Sequence, residues 1–229
     1  NEINEKIKAS LNSFPIKEGY EVRLGGEQED QKETSDFLVK ALLISLGLIL
    51  IILVTQFNSI SRPIIILTEI IFSIIGVLLG YGIFGMDFVI VMTGIGIVGL
   101  AGIVVKNGIL ILEFTEVLQK QGLPLKEALV QAGKTRLAPV LLTATATILG
   151  LIPLAVGFNI NFLTLFTELN PHIYFGGDSV AFWGPLSWTI IFGLTFATFI
   201  TLILVPCMYY LSERIKAKIL KKPLNEGTV

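Results

Sequence analysis

Residues Phe88 to Phe114 read FVIVMTGIGIVGLAGIVVKNGILILEF, an almost unbroken apolar run in which only Lys106 and Glu113 are charged. An α-helix rises 1.5 Å per residue, so about 20 apolar residues are enough to cross the hydrocarbon core of a bilayer. The run therefore predicts a transmembrane helix that carries an ionisable side chain, Lys106, below the membrane surface.

The rest of the chain is also apolar and contains further long runs without charge. Of its 229 residues 53% are hydrophobic and 15% are charged, whereas soluble domains carry roughly 25% charged residues. Five runs are long and apolar enough to span a bilayer: Phe37 to Gln56, Pro63 to Phe84, Phe88 to Phe114, Pro139 to Phe158 and Pro185 to Leu211. We predict an all-α membrane protein, a bundle of five transmembrane helices over residues 36–212. Pro63, Pro139 and Pro185 are expected in first helical turns, where proline is tolerated.

Basic residues predict the orientation of the bundle. Short loops rich in Lys and Arg stay in the cytoplasm, and such residues occur in the first and third connections and after the last span, in a basic tail at 213–229. The connections Gly85 to Asp87 and Asn159 to Gly184 contain none. We therefore expect a cytoplasmic C-terminus, a periplasmic N-terminal segment and an aromatic loop at the outer membrane interface.

The N-terminal segment, residues 1–35, has a different pattern. Asn1 to Ser13 is typical of a polar helix, and Tyr20 to Leu24 alternates like a strand. A single strand leaves its backbone groups unpaired. The segment is therefore interpreted as a short α/β remnant of a periplasmic domain whose remainder lies upstream, although composition does not decide whether the chain is a natural product or a cut piece.

Several classes of protein are disfavoured by the residues that are scarce. The single cysteine, Cys207, offers no disulfide framework or cysteine metal site. His172 stands alone, without companions at metal-ligand spacing. No nucleophile, base and orienting group occur at related spacings, and nothing supports nucleic-acid binding. The sequence thus predicts neither an enzyme nor a bound cofactor or metal.

Glycines in the spans favour close helix packing. Gly94, Gly96 and Gly99 match the GxGxxG dinucleotide fingerprint, but that motif needs a preceding strand in a soluble βαβ unit. Inside a membrane span, these glycines and Gly102 are expected to let neighbouring backbones approach, as are Gly76 and Gly80 in the second span.

The ionisable residues within the spans are the candidate functional residues. Lys106, with Asn107 beside it, lies about 10 Å from the end of its span, and Glu69 lies at a similar depth in the second span. Lysines at such depth normally face a bundle interior or a water-filled path with a partner, although the side chain can also snorkel to the surface. Glu69 can pair with Lys106, or remain protonated and hydrogen-bonded to a neighbouring helix.

The fourth span adds a polar stripe. Thr143, Thr147 and Gly150 share one face, and Arg136 lies one heptad before Thr143. Small polar residues in membrane helices are most often packing contacts. The functional alternative is a proton path beside Lys106.

The segments GIVVKNGILILEF (102–114) and GLPLKEALVQAGKTRLAPVLLTATATILGLIPLAVG (122–157) resemble the resistance-nodulation-division (RND) exporters of the acriflavine-resistance, or hydrophobe-amphiphile, type. VRLGGEQ resembles the last strand of their periplasmic porter domain. The five spans then resemble helices eight to twelve of twelve, and the likeness covers nearly the whole chain.

The resemblance implies a proton-driven antiporter of a bacterial inner membrane that exports drug-like or amphiphilic compounds. It implies a homotrimer, with a periplasmic adaptor and an outer-membrane channel as partners. In that family the lysine matching Lys106 pairs with a carboxylate couple in the N-terminal half, and residues matching Arg136 and Thr143 complete the proton relay. Two alternatives stay open: another cargo, such as a heavy-metal ion or a polypeptide, or a membrane module that assembles without transporting.

Overall fold

Long apolar runs form continuous helices, because each backbone group in lipid must be bonded within its own segment. The computed structural model describes residues 27–161, 166–170 and 172–220. Its long elements are five helices: α1 (Glu27–Phe57), α2 (Ser61–Phe84), α3 (Ile90–Lys120), α4 (Leu125–Val156) and α5 (Asp178–Leu220). All five are long and apolar enough to cross a membrane, which confirms the predicted fold class. The predicted helix Asn1 to Ser13 and strand Tyr20 to Leu24 lie outside the described residues.

Three prolines were predicted to lie in first helical turns, and one of them does. Pro63 lies in the first turn of α2, but Pro139 and Pro185 lie inside α4 and α5. Helix α4 begins at Leu125 because Leu125, Ala128 and Ala132 are buried against the rest of the bundle, so the amphipathic segment before Pro139 joins the span. Helix α5 begins at Asp178, directly after two glycines with positive φ.

A short β-hairpin joins α4 to α5. Strand β1 (Phe158–Ile160) pairs antiparallel with β2 (Ile173–Phe175), and Phe158 lies opposite Phe175. Gly157, with a φ of 69°, ends α4. The Asn159 side-chain amide donates to the carbonyl oxygens of Gly157 and Gly176, both at 2.9 Å, which stabilises the base of the hairpin.

The core lies where α5 packs against α2, α3 and α4, whereas α1 lies on the outside of the bundle. We call the end of the bundle that contains Arg62, Glu116 and Lys120 the basic end, and the opposite end the hairpin end. One buried apolar cluster, which includes Ile66, Ile111 and Val205, fills the interior toward the basic end. A second, which includes Val77, Leu100 and Leu194, lies nearer the hairpin.

The span glycines divide into two groups. Gly76 and Gly80 lie directly against the rings of Phe196 and Phe192, so any side chain there would overlap them. Gly94 and Gly96 lie in the same way against Leu38 and Thr189. Gly99 and Gly102 differ from the prediction, because no neighbouring helix of the described chain comes within 4 Å of where their side chains would begin. These two glycines face an opening in the side of the bundle.

Candidate functional site

Lys106 lies on a cavity of about 330 Å³ in the side of the bundle, between α3 and α4 with α5 behind them. We call this cavity the Lys106 groove. The residues that give it its character are Gly99, Gly102, Lys106, Asn107, Thr143 and Thr147. On α3, Gly99, Gly102 and Lys106 are spaced by three and four residues and share one helix face, with Asn107 next to Lys106. On α4, Thr143 and Thr147 are four residues apart and also share a face. Of the four predicted relay residues, the structure thus brings three together: Lys106, Asn107 and Thr143.

The groove combines one cation with oxygen acceptors. The Thr143 hydroxyl donates to the Pro139 carbonyl oxygen at 2.6 Å, and the Thr147 hydroxyl donates to the Thr143 carbonyl oxygen at 2.8 Å. Each hydroxyl hydrogen is therefore held by the threonine's own helix, and the oxygen keeps lone pairs that can accept from a lysine ammonium or a water. The glycines leave room for these groups, since neither carries a side chain into the groove.

Lys106 has no anionic partner within the part of the chain that the structure describes. Its side chain is exposed, and none of the ion pairs among the described residues includes it. A lysine at membrane depth normally pairs with an anion or faces water. In the described chain the Lys106 ammonium therefore has acceptor oxygens beside it in the groove but no acid, and the groove opens at the side of the bundle.

The fourth predicted relay residue, Arg136, lies apart from the groove. Its guanidinium lies over the ring of Phe114, 4.6 Å from the ring centroid. Its Nε atom is buried and has no hydrogen-bond partner among the described residues. Arg136 precedes Thr143 by seven residues, or about 10 Å along α4, so the structure places it two turns nearer the basic end.

Glu69 occupies a separate position on the other side of α3. Its side chain is 1% exposed, and its Oε2 atom accepts a hydrogen bond of 2.9 Å from the Thr201 hydroxyl on α5. Its Oε1 atom lies against Gly108 of α3 and has no hydrogen-bond partner among the described residues. We call the region where α2, α3 and α5 meet around Glu69 the Glu69 seam.

The ion pair between Glu69 and Lys106 that the sequence allows is not formed in this structure. Gly108, which contacts Glu69, lies two residues after Lys106, so the two positions point about 160° apart around α3. Equal depth in the membrane is therefore not enough to bring the two charges together. Of the two alternatives for Glu69, the geometry matches the hydrogen bond to a neighbouring helix.

A second polar cluster, at the basic end, was not predicted as a site. Arg62 of α2 forms an ion pair with Glu116 of α3 and donates to the Tyr209 hydroxyl of α5 at 3.2 Å. Lys120 adds a second contact to Glu116 at 3.0 Å. The sequence contained one signal for it, the spacing of four between Glu116 and Lys120, which places both on one helix face. The cluster joins the ends of three helices.

No group of three or more His, Cys, Asp or Glu side chains lies close enough to hold a metal ion within the described ranges. Cys207 is exposed on α5. The ionisable side chains of the Lys106 groove and the Glu69 seam are Lys106 and Glu69, and each lies near threonine hydroxyls.

Five helices that are long and apolar enough to span a bilayer, with Glu69 on α2 and Lys106 on α3 inside the spans, define a multi-pass membrane protein. The sequence pattern of the AcrB/AcrD/AcrF family matches residues 1–160, and the chain belongs to that family of RND transporters. The resemblance seen in the sequence is thereby confirmed.

Individual relatives agree with the family. The swarming motility protein SwrC of Bacillus subtilis is 32% identical over 94% of this chain and 19% of its own length. The multidrug resistance protein MdtC of Erwinia tasmaniensis is 26% identical over 96% of this chain and 20% of its own length. A crystal structure of a heavy metal efflux pump superposes with a TM-score of 0.69 at 27% identity, over 92% of this chain and 19% of the pump. The chain spans about a fifth of the length of these relatives.

Proposed function

We propose that this chain forms part of a proton-driven RND efflux antiporter of a bacterial inner membrane, and that the Lys106 groove is its side of the proton relay. The observation that carries the proposal is that Lys106 opens onto a groove lined by Asn107, Thr143 and Thr147, with no anion of the described chain to neutralise it. Arg136 extends the relay toward the basic end.

The relay needs a partner that supplies negative charge. By family resemblance, a carboxylate couple in the N-terminal half of the same transporter faces the groove. While those carboxylates are ionised, they attract the Lys106 ammonium. When they bind protons the attraction is lost, and Lys106 turns to the acceptor oxygens of Asn107, Thr143 or Thr147. This change in pairing gives α3 and α4 two alternative positions, the kind of two-state element that transmits binding energy over distance.

The proposed orientation in the membrane rests on the basic residues, and the proposed partners rest on the family. The basic end faces the cytoplasm together with the C-terminus, and residues 1–35 lie in the periplasm. Membership of the AcrB/AcrD/AcrF family favours a homotrimer that works with a periplasmic adaptor and an outer-membrane channel.

The proposed cargo is a drug-like or amphiphilic compound, which the MdtC relatives favour by their name. The second candidate is a heavy-metal ion, favoured by the efflux pump whose structure superposes on this chain. Resistance assays with amphiphilic dyes and with metal salts separate the two.

The proposal is tested by replacing Lys106 in the complete transporter. Lys106→Met keeps an unbranched chain of similar length but removes the charge. We expect at least about a hundredfold loss of proton-driven dye efflux, the usual effect of removing a proton-transfer group. Dye efflux is measured in cells, and the coupled proton uptake is measured in reconstituted vesicles. The matched control is Lys134→Met, because Lys134 is an exposed lysine of α4 outside the groove.

Two results would contradict the proposal. Unchanged efflux in Lys106→Met, at equal amounts of protein in the membrane, would remove Lys106 from the relay. If the unmodified transporter moved neither dye nor metal, the alternative of a non-transporting membrane module would be favoured.

A finer comparison uses the threonines of α4. Thr143 lines the groove, whereas Thr145, two residues on, does not. Thr143→Val should slow proton uptake, and Thr145→Val should leave it unchanged.

A further inference from the structure

Glu69 is a buried carboxyl that the proposed relay does not use. Only 1% of its side chain is exposed, and none of the ion pairs among the described residues includes it. An ionised carboxylate in so apolar a position is far more costly than the neutral acid, unless a cation or several donors surround it. Here the described residues offer one donor, the Thr201 hydroxyl at 2.9 Å.

The packing around Oε1 strengthens this argument. Oε1 has no hydrogen-bond partner among the described residues and lies directly against Gly108. The absence of a side chain at Gly108 is what allows α3 to approach the carboxyl so closely. Packing this close, with one donor among the described residues, favours the neutral acid over the carboxylate.

The polar neighbours of Glu69 lie toward the hairpin end. Ser73 is one turn beyond Glu69 on α2, and Thr198 is one turn from Thr201 on α5 in the same direction. Both are at most 3% exposed. Their hydroxyls donate to the carbonyl oxygens of Ile70 and Leu194, which leaves their oxygens free to accept.

The opposite direction is closed by hydrocarbon. Between Glu69 and the basic end the seam contains Ile66, Ile111 and Val205, each with 0% exposure, and Leu112 with 1%. Apolar side chains of α1 and α4 join the same cluster, among them Leu53, Leu125 and Leu129. The buried hydroxyls nearest to Glu69 therefore lie on its hairpin side, before the apolar layer of Val77, Leu100 and Leu194. On the basic side the buried hydroxyl of Thr115 lies beyond Ile111 and Leu112.

The other titratable groups that face the seam are distant from Glu69. Toward the basic end, Arg62 on α2 is seven residues away, or about 10 Å, and it is already paired with Glu116 of α3 and bonded to Tyr209 of α5. Toward the hairpin end, Tyr81 on α2 bonds to Thr93, Thr189 and the Pro185 carbonyl. Lys106 and Glu113 lie on exposed faces of α3.

We propose that Glu69 is a second proton-binding site of the bundle, which holds a proton while α2, α3 and α5 are closed around it and exchanges that proton with water at the hairpin end. One proton passes from water to the carboxylate when the seam closes, and it returns to water when the seam opens. The role of this exchange in driving efflux rests on the proposed function, whereas the presence of the proton does not.

The proton is tested by infrared spectroscopy on the complete transporter in lipid vesicles, titrated with pH in the absence of cargo. A neutral carboxylic acid has a C=O stretching band that a carboxylate lacks. We expect the Glu69→Gln variant to lose a band that the unmodified protein shows, and the control Glu127→Gln, at an exposed position in the first turn of α4, to keep it. A spectrum unchanged by Glu69→Gln would overturn the proposal.

A second variant keeps the test decisive if Glu69→Gln does not fold. Thr201→Val removes the one hydroxyl that donates to the carboxyl. The C=O band should then shift to higher frequency, since a free carbonyl bond is stiffer than a hydrogen-bonded one. An unshifted band would mean that it does not arise from Glu69.

The direction of exchange is tested by the rate at which the band shifts after transfer into D₂O. Ser73→Ala should slow the shift, and Thr115→Val, a buried hydroxyl on the basic side of the seam, should not. The reverse order would overturn the assignment to the hairpin end.

The coupling role is tested by the pH profile of efflux. Glutamine has the shape of the neutral acid but cannot release a proton, so Glu69→Gln should lose part of the pH dependence. A lost band with an unchanged pH profile would leave Glu69 as a structural contact only. Because the infrared titration needs no transport, it stands even if Lys106→Met shows that the proposed function is wrong.

Discussion

The two faces of α3 carry ionisable sites with opposite surroundings. The Glu69 seam is closed, because glycine and hydroxyl groups fit around one carboxyl that has no charged partner in the described chain. The Lys106 groove is open, because Gly99 and Gly102 keep it wide and no acid of the described chain reaches the ammonium. In the two proposals, the buried carboxyl acts within this bundle, whereas the exposed ammonium pairs with a partner from elsewhere.

The largest expected contrast is between two glycines of α3. Gly108→Ala places a methyl group where the Glu69 carboxyl lies, whereas Gly102→Ala places one in open space. Overpacking of this kind costs about 1–3 kcal/mol. Gly108→Ala should therefore lower the thermal stability of the purified transporter in detergent.

Gly102→Ala should cost less than Gly108→Ala, because no side chain of the described residues lies within 4 Å of the added methyl group and alanine favours a helix over glycine by up to about 1 kcal/mol. Equal losses in both variants would mean that the groove face is packed as tightly as the seam, and the comparison would fail.

Chemical labelling offers the next contrast. In a Cys207→Ser background, a cysteine at Thr143 would lie on the exposed groove and a cysteine at Ser73 inside the seam. A membrane-permeable maleimide should label the first at least about tenfold faster, since a buried position reacts only when the structure opens locally. Comparable rates would show that the seam opens as readily as the groove.

The smallest contrast concerns two threonines of α5. Thr201 donates across helices to Glu69, whereas Thr195 donates only to the Ile191 carbonyl of its own helix. Hydrogen bonds between membrane helices contribute about 0.6 kcal/mol on average and at most about 1.7 kcal/mol. Thr201→Val should cost about that amount and Thr195→Val less, as measured by unfolding in mixed detergent. A Thr201→Val variant as stable as Thr195→Val would mean that the Glu69 bond adds nothing to helix association.

Much of the fold could be predicted because hydropathy acts on each segment alone. The five spans, the ionisable residues within them and the shared face of Thr143 and Thr147 all follow from composition and from the period of the helix. The beginnings of α4 and α5 could not be predicted in this way. They depend on the burial of Leu125, Ala128 and Ala132 and on the glycines before Asp178, which outweigh the preference of Pro139 and Pro185 for a first turn.

The site was predicted less completely than the fold. Lys106 and Thr143 line the same groove, and the sequence suggests this closeness because both lie on stripes that continue along their helices. The packing contacts of the glycines were harder to predict. Gly96 and Gly99 look alike in sequence, but of the two only Gly96 contacts a neighbouring helix of the described chain. Arg136 follows the stripe of Thr143 but packs on Phe114 instead of entering the groove.

The sequence by itself determined that this chain enters a membrane, crosses it five times and carries a lysine and a glutamate inside it, because each of these properties depends on the free energy of transferring a segment into lipid. Only the tertiary structure decided that Glu69 meets Thr201, 132 residues away, while Lys106 faces an open groove. A helix that is apolar on all sides has no local pattern to set its rotation. Close packing against its neighbours therefore decides which face each charge occupies.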